Sequence, residues 1–88
     1  MKKLDVVCKE IREIFAKKGW SWWGESTPPS VKKIREVVLT LARDASDGKP
    51  WSCGRLIVSQ VRLNEYKVKV EGTKYSETIR TRGECNQK

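Results

Sequence analysis

The residues that could do chemistry in this chain are three cysteines, four tryptophans and a surplus of lysine and arginine, with no histidine to serve them. That absence removes the commonest general base, the commonest metal ligand and the near-neutral pH switch together. Cys53 lies beside Arg55, which favours a thiolate, but a thiolate without a base to orient it does not complete a cysteine-hydrolase template. Cys8, Cys53 and Cys85 are odd in number and form no CxxC pair, which argues against a disulfide framework and a zinc site and for a reducing, cytoplasmic setting. No Gly-rich phosphate loop, HExxH or GxSxG occurs. The sequence therefore predicts a protein that is not an enzyme and uses neither cofactor nor metal.

Charge and aromatic residues point to binding instead. Over 88 residues, 19 Lys and Arg stand against 11 Asp and Glu, a formal net charge of +8 that attracts polyanions: nucleic acid, an acidic protein surface or anionic lipid. The excess is greatest in residues 51–88, with eight basic and four acidic side chains. Trp20, Trp22 and Trp23 fall within four positions of the connector GWSWWGESTPPS. They fit a stacking platform for bases or an anchor for a protein partner, and equally a set of large apolar side chains closing the end of a small core.

The elements that must position these residues follow from periodicity. Leu4, Val7, Cys8, Ile11, Ile14 and Phe15 recur at helical spacing and predict an amphipathic helix over 4–18, ended by Gly19. Val31, Ile34, Val38, Leu41 and Ala45 predict a second over about 29–46, with Pro28 and Pro29 at its start and Thr27 or Ser30 able to accept from its free N–H groups. GKPWSCG reads as a turn, and RLIVSQVRLNEYKVKVEG as a β-hairpin. With Asn64-Glu65 as the turn, Leu63 opposes Tyr66, Val61 opposes Val68 and Ser59 opposes Val70, giving an apolar face against the helices. Arg62 then opposes Lys67 on the other face, an unfavourable like-charge pair unless both side chains splay into water or hold an anion. TKYSETIRTR supplies a weak third, edge strand.

These elements make one α+β domain over 1–82, two amphipathic helices on a two- to three-stranded antiparallel hairpin or meander, followed by a disordered tail over 83–88 that carries an exposed Cys85. Ile11, Phe15, Ile34, Val38, Leu41, Val61 and Val68 form the expected core. No apolar run reaches the ~18–20 residues of a membrane span, and acidic residues interrupt the opening MKKLDVVCKEIREIF too early for a secretory signal. The arrangement would be winged-helix-like, although such domains usually place three helices before the hairpin and the connector would have to supply one. In that reading Lys32, Lys33 and Arg35 at the helix N-terminus and Arg62, Lys67 and Lys69 on the hairpin bind DNA or RNA. The alternative is an adaptor or inhibitor that docks on an acidic protein through Trp20, Trp22 and Trp23, with the lysines as steering charges.

Overall fold

The computed structural model describes residues 2–21, 27–45 and 49–80. Expectations for Trp22, Trp23, Gly48, Cys85 and the tail over 83–88 lie outside them. In chain order the elements are α1 (Leu4–Lys18), α2 (Val31–Ala45), β1 (Trp51–Cys53), β2 (Leu56–Arg62), β3 (Glu65–Val70) and β4 (Ser76–Arg80). Both helices lie on one face of a four-stranded antiparallel sheet ordered β1-β2-β3-β4.

α1 begins and ends where the residue pattern predicts. Asp5 in its first turn and Lys17 and Lys18 in its last complement the helix dipole. Gly19 takes φ 72°, the left-handed conformation that costs a glycine little, and its N–H donates to the Ala16 carbonyl while the Trp20 N–H donates to that of Phe15 at 2.9 Å. This Schellman closure carries its usual apolar contact: the Trp20 ring meets Phe15 edge to face at 5.7 Å. Ser30, just before α2, caps it: its hydroxyl accepts from the Lys33 N–H at 3.1 Å.

The core joins Val7, Cys8, Ile11 and Phe15 of α1, Ile34, Val38, Leu41, Ala42 and Ala45 of α2, and Leu56, Val58, Tyr66, Val68, Val70 and Ile79 of the sheet. Six of the seven expected core residues are in it, and Val61 is not. Val61 is 49% exposed and Leu63 79% exposed, because β2 and β3 pair in another register. Asn64 adopts φ 65°, so Leu63-Asn64 is the turn and Arg62 opposes Glu65. A bulge at Val61 then shifts the ladder by one residue, so that Gln60 pairs with Tyr66, Val58 with Val68 and Leu56 with Val70. Since neighbouring side chains alternate between faces, that single residue turns Leu56 and Val58 inward and Ser59 outward. The observed register also puts Leu56 opposite Val70 inside the sheet and replaces the Arg62–Lys67 like-charge pair by Arg62–Glu65.

The sheet is larger than the residue pattern suggests. TKYSETIRTR does supply an edge strand, β4, which pairs along β3 from Glu65↔Arg80 to Lys69↔Ser76. Within GKPWSCG, the segment Trp51–Cys53 is a short strand paired with β2, and only Gly54 and Arg55 form the turn between them. The hairpin is thus the centre of a sheet, with a strand on either side, and does not project as a wing.

Candidate nucleic-acid interface

With both helices on one face, the alternation along β2, β3 and β4 fixes what the other face presents. Tyr66, Val68 and Val70 point to the core, so Glu65, Lys67 and Lys69 point away from it. Cross-strand partners share a face, and three polar rows result. Arg62, Glu65 and Arg80 form the first, Ser59, Lys67 and Thr78 the second, and Ile57, Lys69 and Ser76 the third. Glu65 is already neutralised: the Arg80 Nη2 donates to its Oε2 at 2.9 Å. Lys67 and Lys69 stand about 6.6 Å apart along a strand that is hydrogen-bonded on both sides.

Next to the third row the face sinks into a shallow depression of about 400 Å³, lined by Ile57, Lys67, Lys69, Lys74, Ser76 and Glu71 among others. Lys74 reaches it because the chain turns at Gly72-Thr73, where the Thr73 N–H and hydroxyl both bond the Val70 carbonyl, at 3.2 and 2.9 Å. The inventory of cations drawn from the sequence lacks Lys74; the Gly72-Thr73 turn was the signal that it would fold back beside Lys69. Cations on a rigid strand with hydroxyls beside them can hold phosphate oxygens, and Ile57 offers a small apolar floor.

The other basic group occupies the opposite layer. Lys32, Lys33 and Arg35 belong to the first turns of α2, which packs on the inward side of β1 and β2. Arg35 is further committed to an ion pair with Asp5, its Nε 3.2 Å from the carboxylate. Arg62, Lys67 and Lys69 therefore share one surface, and Lys32, Lys33 and Arg35 do not lie on it.

Trp20 is half-buried against the core, and one face of its indole is covered by the Arg55 guanidinium, 3.8 Å from the ring centroid. That face is not available to a base. The close approach depends on Gly72 at φ 89°: a Cβ there would stand 3.1 Å from Arg55 Nη1 and 3.3 Å from Trp20. Trp51, given no role in the residue pattern, is instead 44% exposed on the edge strand.

The remaining polar cluster ties the N-terminus to both layers. Lys2 Nζ lies 2.7 Å from Glu10 and 3.4 Å from Glu77, and the Tyr75 hydroxyl donates to Glu10 at 2.7 Å. The hydrogen bond from Lys2, joined by that from Tyr75, holds the Glu10 carboxyl below the usual range, while burial and then Glu10 push the Tyr75 phenol up. Cys8 is buried, and loss of hydration, with Asp5 adding to it and Arg35 opposing it, raises its thiol to about 11. Cys53 is exposed and free. Among the described residues no group of three or more Cys, Asp or Glu could hold a metal ion, and no helix is long and apolar enough to cross a membrane. No protein-family model, curated protein or solved structure matches the chain.

Proposed function

We propose that this is a nucleic-acid-binding protein that holds the phosphate backbone of DNA on the helix-free face of its sheet. The observation that carries the reading is the gathering of Arg62, Lys67, Lys69 and Lys74 on that face, where Glu65 is engaged by Arg80. The chemistry is charge-assisted contact to phosphate, with the seryl and threonyl hydroxyls fixing position, so it reads little base sequence. RNA offers the same phosphates and is the other polyanion this face would accept. A binding role without catalysis accords with a raised, buried thiol at Cys8, and free thiols at Cys8 and Cys53 accord with a cytoplasmic setting.

The test is a titration of labelled duplex and single-stranded DNA by fluorescence anisotropy over a range of salt. Replacing Arg62, Lys67 and Lys69 by glutamine lowers the slope of log K against log[salt] by about 2–3 and weakens binding to every sequence alike, since each neutralised phosphate contributes ~0.9 to that slope. Parent protein that does not bind at about 150 mM salt would rule the reading out. A second reading, docking on a protein partner, is favoured by one observation: Trp51 is exposed on the edge strand β1, whose Cys53 lines a groove with Lys33, Glu36, Val37 and Leu41. In that case Trp51→Ala weakens capture through a faster off-rate, and the three basic residues change only association.

A further inference from the structure

The two edges of the sheet differ. Beside β4 runs the N-terminal segment: the Lys2 N–H donates to the Thr78 carbonyl at 3.3 Å, and Lys2 Nζ bridges Glu10 and Glu77. Among the described residues β1 has no such cover, and Trp51-Ser52-Cys53 carries none of the charges that blunt an edge. Its open backbone groups belong to Ser52. Cys53 and Leu56 close the two-residue turn Gly54-Arg55 as a hydrogen-bonded pair, so Ser52 and Ile57 form a non-bonded pair and the Ser52 N–H and C=O point off the sheet. Trp51 and Cys53 share the inward face of their partners Val58 and Leu56. There Cys53 borders a groove of about 290 Å³ with Lys33, Glu36, Val37, Thr40 and Leu41 of α2.

Resting on the protein-docking reading of this groove, we propose that its occupant is a second copy of the chain, joined β1 to β1 about a two-fold axis at Ser52 so that the two sheets run on as one. Each Ser52 N–H then donates to the other Ser52 carbonyl. Trp51 opposes the second copy's Cys53 on the helix side, a large side chain against a small one, and the symmetry repeats the contact. The helix layer continues too: α2 lies over β1 and β2, so its copy falls two strand spacings away, about 10 Å, an ordinary distance for packed helices. A foreign extended peptide would gain the Ser52 bonds alone, since Pro50 has no N–H to offer, and would leave the groove open. A second copy brings α2 to close over Val37 and Thr40. Charge agrees: Lys33 and Glu36 cancel, so in a chain of net charge +8 this patch repels its own copy least and offers a polyanion nothing. Arg55, which the register brings toward the second copy's Lys49, is turned onto Trp20 at 3.8 Å. The two-fold stands perpendicular to the sheet, so both helix-free faces stay on one side, with the two β3 strands about 24 Å apart.

The experiment is sedimentation equilibrium of the full chain under reductant from about 1 to 500 μM, a range that covers the affinities of small interfaces. The average mass of the parent rises from one chain toward two. Raising salt moves that rise to lower concentration, because it screens repulsion between chains of +8, whereas phosphate binding weakens with salt. Ser52→Pro removes the donor that points off the sheet and leaves the β2 ladder intact, and Thr40→Arg puts a further cation into the shared groove. Each raises the dissociation constant about tenfold or more, while dilute samples keep the circular dichroism and melting temperature of the parent. Thr40→Arg guards against misfolding by the proline, since Thr40 is exposed on a helix that accepts arginine readily. In a mixture of labelled and unlabelled chains, the Trp51 indole gives a nuclear Overhauser contact to Cys53 of the other copy. Association of both variants as strong as the parent's, or a dimer without the Trp51–Cys53 contact, overturns the proposal. A parent that stays monomeric throughout also overturns it, and the docking reading then stands or falls on the Trp51→Ala capture test, the nucleic-acid reading on its salt slope.

Discussion

Replacing Val58 or Val61 by alanine tests the strand register, on which the composition of both sheet faces depends. Val58 is fully buried, opposite Val68 and beneath α2, whereas Val61 is 49% exposed in the bulge. Val→Ala at position 58 removes two methyl groups worth ~0.8 kcal/mol each and leaves a cavity between helix and sheet, so the loss is about 2–3 kcal/mol. At position 61 the same change removes area that is already half hydrated and costs less than about 0.5 kcal/mol. An 88-residue domain has a total stability on the order of 4–13 kcal/mol, so the first variant loses a large share and melts ~10–20 °C lower. Urea unfolding followed by circular dichroism gives both numbers. With Asn64-Glu65 as the turn, Val61 would be buried and Val58 exposed, so the reverse ranking would refute the register and the basic face built on it.

Four further outcomes follow from packing and charge. Mass mapping after brief exposure to a thiol reagent finds Cys53 modified and Cys8 untouched until denaturant is added, and early modification of Cys8 would contradict its place in the core. Gly72→Ala costs about 1–2 kcal/mol, because φ 89° strains any L side chain and the new methyl pushes Arg55 off Trp20; combined with Arg55→Ala the two losses add to less than their sum. Glu10, whose carboxyl is held low, supplies stability above the ordinary carboxylate range that is lost as pH falls through its lowered value. Glu10→Gln therefore makes the acid-side drop in melting temperature shallower. Tyr75 acts in the opposite sense: its raised phenol leaves stability intact below pH 10 and removes it as pH climbs beyond.

The helices were legible in the sequence because fifteen residues of 3.6-residue periodicity admit one amphipathic face, and α1 occupies the interval its apolar residues mark. The same holds for β3, where Tyr66, Val68 and Val70 alternate cleanly with charge. β2 was not legible in the same way. Leu56, Ile57 and Val58 are apolar in succession and Val61 and Leu63 follow in the opposite phase, so alternation supports either face. The decision rests on Asn64 taking a left-handed conformation and on a bulge, and neither leaves a periodic trace. β1 was missed because three residues between a proline and a glycine are too few to show a pattern. Lys67 and Lys69 were readable as outward-facing from β3 alone, whereas Lys74 joins them only through the β3–β4 turn, and the separation of Lys32 and Lys33 from them needed the side of the sheet on which α2 packs.

The most direct test of the central claim is a map of backbone, lysine and arginine side-chain resonances during titration with a short DNA duplex at about 150 mM salt, where weak, screened attraction is suppressed. The account predicts that the side-chain signals of Arg62, Lys67, Lys69 and Lys74 shift together with the amides of Ile57 and Thr78, while those of Lys32, Lys33 and Glu36 stay in place. Shifts concentrated on the first turns of α2, with the helix-free face unmoved, would contradict it.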